Sequence, residues 1–166
     1  MASSPEQFAV LPEVAIRAMS EADVAAVVAI ELASYRFPWS EGIFRDCLKV
    51  GYVCRSAVVY AAVGGYGIIT TSAGEAHILN LCIRADLRCR GIGALLLEDL
   101  LQRAAAAGVE YAYLEVRPSN TAAIRLYQAF QFEHIGARRG YYQAPDGRED
   151  AAVFKLALAS RRAGDA

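Results

Sequence analysis

The 166-residue chain has no uninterrupted apolar stretch near the roughly eighteen residues that a membrane-crossing helix needs. Its start, M-A-S-S-P-E-Q, places no basic region before an apolar one, so a secretory signal is not expected. Charge of one sign is scarce everywhere: 17 Lys and Arg face 18 Asp and Glu, and neither forms a long block. That balance speaks against a nucleic-acid-binding arm and against a polybasic membrane patch. The four cysteines, Cys47, Cys54, Cys82 and Cys89, include no C-x-x-C pair. The two histidines, His77 and His134, stand in no ligand-like spacing with them, so no metal site is expected. Three of the thiols lie in apolar or strand-like surroundings, the pattern of buried free cysteines in a reducing cytoplasm. Both histidines fall within strand-like runs and acquire no role from their neighbours.

What is present is length and alternation. One domain over residues 1–166, with an ordered core from about 10 to 158, is long enough to bury a core. Val10 to Ala18 reads as a strand, and Ser20 as the cap of an alanine-rich helix to about Tyr35. Pro38 disfavours helix at Phe37, and Ser40 caps a short second helix to about Leu48. Tyr52 to Val63 is alternating and β-branched, Gly64-Gly65 reads as a turn, and Tyr66 to Thr71 as its hairpin partner. A turn at Ala73-Gly74-Glu75 leads into a strand that ends at Ile83. A helix from Gly91 to Ala107 stops at Gly108, followed by a strand over Tyr111 to Val116. Ser119 or Asn120 caps a further helix, T-A-A-I-R-L-Y-Q-A-F. Phe132 to Arg139 and Ala151 to Leu158 read as closing strands around a long polar loop, with loose tails over residues 1–9 and at R-R-A-G-D-A. The order β-α-α-β-β-β-α-β-α-β-β predicts an α/β fold, a mixed sheet with helices on its faces.

The stretch from Leu81 to Leu101 organises the rest. An apolar strand passes through a basic loop, R-x-x-G-x-G at Arg88, Gly91 and Gly93, directly into a helix with leucines at helical spacing. Glycines there let the backbone approach a ligand, and the helix start offers free N–H groups and the positive dipole end. The favoured ligand is a phosphate. A dinucleotide fingerprint would need a third glycine, which is missing. A phosphate-transfer loop would need lysine and a hydroxyl residue after its last glycine, where Ala94-Leu95 stand. The site therefore suits the phosphates of a carrier.

With N-L-C-I before it, this motif resembles the acyl-CoA pyrophosphate loop of the GNAT N-acetyltransferases. F-P-W-S, L-E-V-R-P-S-N-T-A-A-I-R-L-Y, R-R-G-Y-Y and D-G-R-E-D-A extend the likeness to the bacterial ribosomal-protein-alanine N-acetyltransferases, from about residue 15 to residue 158. The resemblance implies a central, mostly antiparallel seven-stranded sheet with about four helices. It implies acetyl-CoA as acetyl donor, held by Arg88, Cys89, Arg90, Gly91, Ile92, Gly93 and Ala94. Backbone groups of Leu81, Cys82 and Ile83 would pair with the pantetheine arm as an added strand would, and Asn120 would hydrogen-bond the cofactor. The implied acceptor is the N-terminal alanine of a small-subunit ribosomal protein, in the cytoplasm, without direct nucleic-acid or membrane binding.

Two residues would carry the chemistry. Glu115 lies in an apolar strand, where it either faces solvent or is a partly buried base with a raised pKa. The resemblance assigns it as the base that deprotonates the α-ammonium group. Tyr127 would read as core packing on its own; the resemblance assigns it as the acid that protonates the leaving thiolate. Arg138, Arg139, Tyr141 and Tyr142 form either a peptide-binding wall or a solvated hairpin. Phe37, Pro38 and Trp39 lie where the family also contacts the acceptor, and Trp39 is as readily a core plug. One departure stands out: the family has glycine before the phenylalanine that ends L-Y-x-x-x-G-F, and this chain has Gln131, so mild strain and altered local geometry are expected. A lysine or small-amine acceptor, and a non-catalytic acyl-CoA-binding module, are the rival readings.

Overall fold

Seven strands and four α-helices follow one another in the predicted alternation across residues 13–159, which the computed structural model describes. They are β1 (Val14–Ala18), α1 (Val24–Ser34), α2 (Glu41–Lys49), β2 (Val53–Val59), β3 (Ala62–Ser72) and β4 (Glu75–Ile83). Then come α3 (Ile92–Ala106), β5 (Tyr111–Val116), α4 (Thr121–Ala129), β6 (Glu133–Ala144) and β7 (Gly147–Ala157). The expected tails, and the start of the first strand at Val10, lie outside the described residues. The local signals act as read for the helices. Ser40 Oγ accepts the Ile43 N–H at 3.3 Å, and Asn120 Oδ1 accepts the Ala123 N–H at 3.2 Å, each satisfying a donor of the first turn. Gly108 takes φ 83° after α3, and Val109 N–H closes the end on the Ala104 carbonyl at 3.2 Å.

Two turns fall elsewhere than predicted. The β2–β3 hairpin turns at Tyr60-Ala61, both at positive φ (51° and 64°), with Val59 opposite Ala62. Gly64 and Gly65 instead lie buried inside β3. A Cβ at Gly64 would stand 2.5 Å from Leu87 Cδ1, and one at Gly65 would stand 2.6 Å from Ile83 Cδ1 and 3.0 Å from the Cys82 carbonyl oxygen. These glycines serve close packing beneath the R-x-x-G-x-G loop. The stretch read as a polar loop over 140–150 is the far half of the β6–β7 hairpin, pairing Tyr142 with Glu149 and Ala144 with Gly147. A register shift between Arg138 and Tyr142 interrupts it, and there Asp150 accepts the Gly140 N–H at 2.8 Å.

The sheet runs β1-β2-β3-β4-β5-β7-β6, antiparallel except at β4–β5. On one face α3 presents Leu97, Leu100 and Leu101 to Ile78, Leu114 and Phe154, with Tyr127 and Phe132 in the same cluster. Truncating one of these leucines to alanine removes about 2–5 kcal/mol. On the other face Val24, Val27 and Ile30 of α1 and Phe44 of α2 cover Tyr66, Ile68 and Cys82.

Candidate active site

The parallel pair is short. β4 and β5 hydrogen-bond only from Glu75 opposite Tyr111 to Ile78 opposite Leu114. Beyond that point β4 stays on β3 as far as Ile83, while β5 stays on β7 through Val116. The two strands therefore part, leaving a crevice along the edge of β4 over Leu79–Ile83, which no strand pairs on that side. Its origin is a bulge: Ile68 faces Asn80 and Ile69 faces Ile78, which leaves Leu79 unpaired in the β3–β4 ladder and bends β4.

The loop after β4 is shaped by two left-handed residues, Cys89 (φ 61°) and Gly91 (φ 81°). No atom lies within 4 Å of a Cβ built on Gly91, so that glycine is required by its backbone angle and leaves open space above the loop. The first helical bond of α3 runs from Leu95 N–H to the Gly91 carbonyl at 3.1 Å. The N–H groups of Ile92, Gly93 and Ala94 are therefore unclaimed within the helix, and no side chain caps them. Arg88 braces the loop: its Nε donates to the Ile83 carbonyl at 2.9 Å and its Nη2 to Ser34 Oγ of α1 at 3.1 Å. Cys89 and Arg90 are exposed, whereas the Cys82 side chain is buried against α1 and α2. Along this edge the Leu81 carbonyl already accepts Tyr35 OH at 3.4 Å, and the Ile83 carbonyl the Arg88 Nε.

Across the crevice stand the two predicted side chains. Glu115 sits where β5 leaves β4, its side chain 6% exposed. His77 Nε2 contacts Oε2, and Arg138 Nε reaches Oε1 at 3.0 Å. Burial pushes the carboxyl pKa up, but the bond and charge of His77, with Arg138, outweigh it and hold Glu115 below the ordinary carboxylate range. The raised value expected of a buried base is thus corrected. Tyr127 is buried in α4, and burial, with the Cys82 thiol nearby, pushes its phenol well above the ordinary range. What holds it is the end of α4. Gln131 adopts φ 69°, its N–H bonds the Gln128 carbonyl at 2.9 Å, and Phe132 N–H bonds the Tyr127 carbonyl at 3.0 Å. The Phe132 ring then packs edge-on against Tyr127, centroids 5.7 Å apart. Gln131 thus holds the left-handed conformation that glycine favours, the mild strain expected at this position.

Beside the crevice, a cavity of about 480 Å³ is lined by Arg36, Phe37, Pro38, Arg117, Tyr141 and Tyr142, with Gln143. Arg117 joins its two walls, lying 4.4 Å over the Tyr142 ring and 6.0 Å from that of Phe37 while bonding Glu149 at 3.0 Å. Phe37 and Pro38 thus line the cavity, whereas Trp39 packs on Phe44 and is a core plug. Arg138 turns to Glu115 instead of this cavity, and Arg139 lines neither wall.

Sequence reasoning missed two residues. His77 was dismissed, yet parallel pairing puts it opposite Tyr113, on the same sheet face as Glu115. Glu31 was merged into an apolar helix, yet its buried carboxylate accepts the Trp39 N–H at 3.1 Å, Asn80 Nδ2 at 3.1 Å and the Tyr66 hydroxyl. It ties the α1–α2 loop to the β4 bulge. An acidic residue inside V-A-A-V-V-A-I-E-L-A was the available signal. No described helix is long and apolar enough to cross a membrane.

Comparison with known proteins points one way. A family model described as the acetyltransferase (GNAT) family matches residues 24–132. A curated protein of Escherichia coli strain K12, ribosomal protein bS18-alanine N-acetyltransferase, is 34% identical over 143 residues, 86% of this chain and 97% of that one. The protein of the same name from Haemophilus ducreyi is 32% identical over 144 residues, 86% of this chain and 99% of that one. The crystal structure of the ribosomal-protein-S18-alanine N-acetyltransferase from Escherichia coli matches with a TM-score of 0.82 at 33% identity, covering 88% of this chain and 94% of that one.

Proposed function

The chain belongs to the GNAT family of acetyltransferases, and from that premise we propose that it acetylates the N-terminal alanine of a small-subunit ribosomal protein, with acetyl-CoA as donor, as one cytoplasmic domain. The observation that carries the reading is the crevice between β4 and β5, with an acidic group on one lip and a buried phenol beside it.

The residues fit acetyl-CoA. Unclaimed N–H groups of Ile92, Gly93 and Ala94, above the open space at Gly91, suit a pyrophosphate, and the unpaired edge of β4 suits the amides of a pantetheine arm. Arg88 acts by holding the loop to Ile83 and Ser34. Cys89 and Arg90 add exposed loop backbone and charge, and Asn120 fixes the start of α4 with its Oδ1. The donor brings an acetyl group activated as a thioester; the chain must orient the amine, remove its proton and protonate the leaving sulfur. The acceptor chain takes the aromatic cavity beside Tyr142, and its N-terminal amine the cavity lined by Glu115. Glu115 provides the negative charge that draws the ammonium proton away. Tyr127, a neutral phenol at any working pH, donates to the departing thiolate.

The low-lying Glu115 favours an α-amine over a lysine. An α-ammonium group titrates near 7.7–8.0 and a lysine near 10.4, so lysine would demand a base about 2.5 units stronger. A non-catalytic binding module would have no use for both Glu115 and Tyr127. The test is mass spectrometry of ribosomal protein N-termini from cells with and without this chain. The expected result is one alanine N-terminus that is acetylated only when the chain is present; unchanged N-termini would refute the assignment.

A further inference from the structure

Glu115 carries a feature that a free base would not have: both its oxygens are engaged. Oε1 is held by Arg138 at 3.0 Å and Oε2 by His77 Nε2, with the side chain 6% exposed. A carboxylate gripped by two donors is stabilised as the anion and binds a new proton less readily. His77 is differently placed. Its side chain is 36% exposed and opens on a second cavity of about 430 Å³, which Glu115 also lines.

Resting on the N-terminal acetyltransferase reading, we propose that His77 is the group that takes the proton from the acceptor ammonium, with Glu115 behind it as the positioning residue. Because Nε2 meets an ionised carboxylate, Nε2 carries the hydrogen, and Nδ1 is left with its lone pair. No described residue bonds Nδ1. The ammonium N–H breaks, directly or through one water, and the Nδ1–H bond forms. The freed electron pair on nitrogen is the one that attacks the thioester carbonyl. The imidazolium is stabilised by Glu115 and returns to neutral by releasing its proton to water in the cavity.

The groups facing His77 are few. Glu75 comes from its own strand, Tyr113 and Glu115 from β5, and Arg138 from β6; β3 contributes uncharged Thr70 and Ser72, and β7 contributes Val153. Glu115 is the one charged group bonded to the imidazole.

The test compares His77→Gln with Glu115→Gln in the full chain, with acetyl-CoA and an alanine-starting peptide, as kcat against pH. His77→Gln is expected to lose more kcat than Glu115→Gln, about 100-fold or more, with KM for the peptide little changed. It should also flatten the acidic limb of kcat against pH. Glu115→Gln keeps that limb but moves it to lower pH, because removing the anion disfavours the imidazolium. The reverse order of losses would make Glu115 itself the proton acceptor and overturn the proposal. Nitrogen NMR of His77 in the chain without either substrate gives an independent reading. The Nε2–H tautomer at neutral pH is expected, and the Nδ1–H tautomer overturns the proposal. If the wild-type chain releases no CoA with any alanine peptide, the acceptor assignment fails instead, and the tautomer still decides the role of His77.

Discussion

The two walls of the β4–β5 crevice are built in opposite ways. The β4 wall is continuous in sequence from Leu79 to Ala106 and offers backbone: a bulged strand edge, left-handed residues at Cys89 and Gly91, and a helix start. The β5 wall offers side chains, Glu115 and Tyr127, each held by residues from elsewhere: His77 and Arg138 for one, the Gln131–Phe132 helix end for the other. A backbone wall is damaged by what a new side chain does to its path. A side-chain wall is damaged by the loss of one polar atom.

The largest effect should come from such an atom. Tyr127→Phe keeps the ring on Phe132, so the melting temperature should hold. Turnover with acetyl-CoA and an alanine peptide should fall about 10²–10⁴-fold; wild-type kcat would remove Tyr127 from the chemistry. The β4 wall should break in the other manner. Gly65→Ala places a methyl 2.6 Å from Ile83 Cδ1 and 3.0 Å from the Cys82 carbonyl, against backbone that cannot yield freely. Denaturant unfolding should show a loss of about 1–3 kcal/mol, and KM for acetyl-CoA should rise more than kcat falls. Equal changes in both constants would mean that this edge does not hold the donor.

Two smaller tests concern how the β5 wall is held. Glu115 has a folded pKa below its unfolded one, so the cluster with His77 and Arg138 stabilises the fold above about pH 4.5, and the gain fades as pH falls through the lower folded value. The stability gap between wild type and Glu115→Gln should therefore shrink on acidification below pH ~4, as chemical denaturation at several pH values would show. A gap that widens instead would reverse the sign. Gln131→Gly should be the mildest change, a gain of about 0.5–1 kcal/mol, because Gln131 sits at φ 69° where Gly108 ends α3 at φ 83° in the same hydrogen-bonded motif. Activity should be unaltered, since the tyrosine above that motif does not move.

The same contrast explains what was legible in the chain. The loop at Arg88–Ala94 was readable because its whole physical content is local: glycines, a helix start and missing alternatives. The helix caps at Ser40, Asn120 and Gly108 were readable for the same reason. Gly64-Gly65 misled because a turn preference was weighed without knowing that Leu87 and Ile83 would press on β3; the turn went to Tyr60-Ala61, which carries no glycine. The outer half of the β6–β7 hairpin was hidden by its polar composition, a consequence of lying at the sheet edge with most of its residues exposed. His77 was illegible because its meaning depends on the register of two parallel strands joined through a helix, and the lowered pKa of Glu115 depends on that His77 and on Arg138 from the edge strand beyond β7.

The central claim is that the acceptor is an α-amine and not a side chain. It is tested most directly by measuring CoA release with two forms of one alanine-starting peptide that contains lysine, one with a free N-terminus and one with the N-terminus chemically blocked. Release with the free peptide and none above background with the blocked one is the predicted result. Equal release from both would contradict the claim and move the acceptor to lysine.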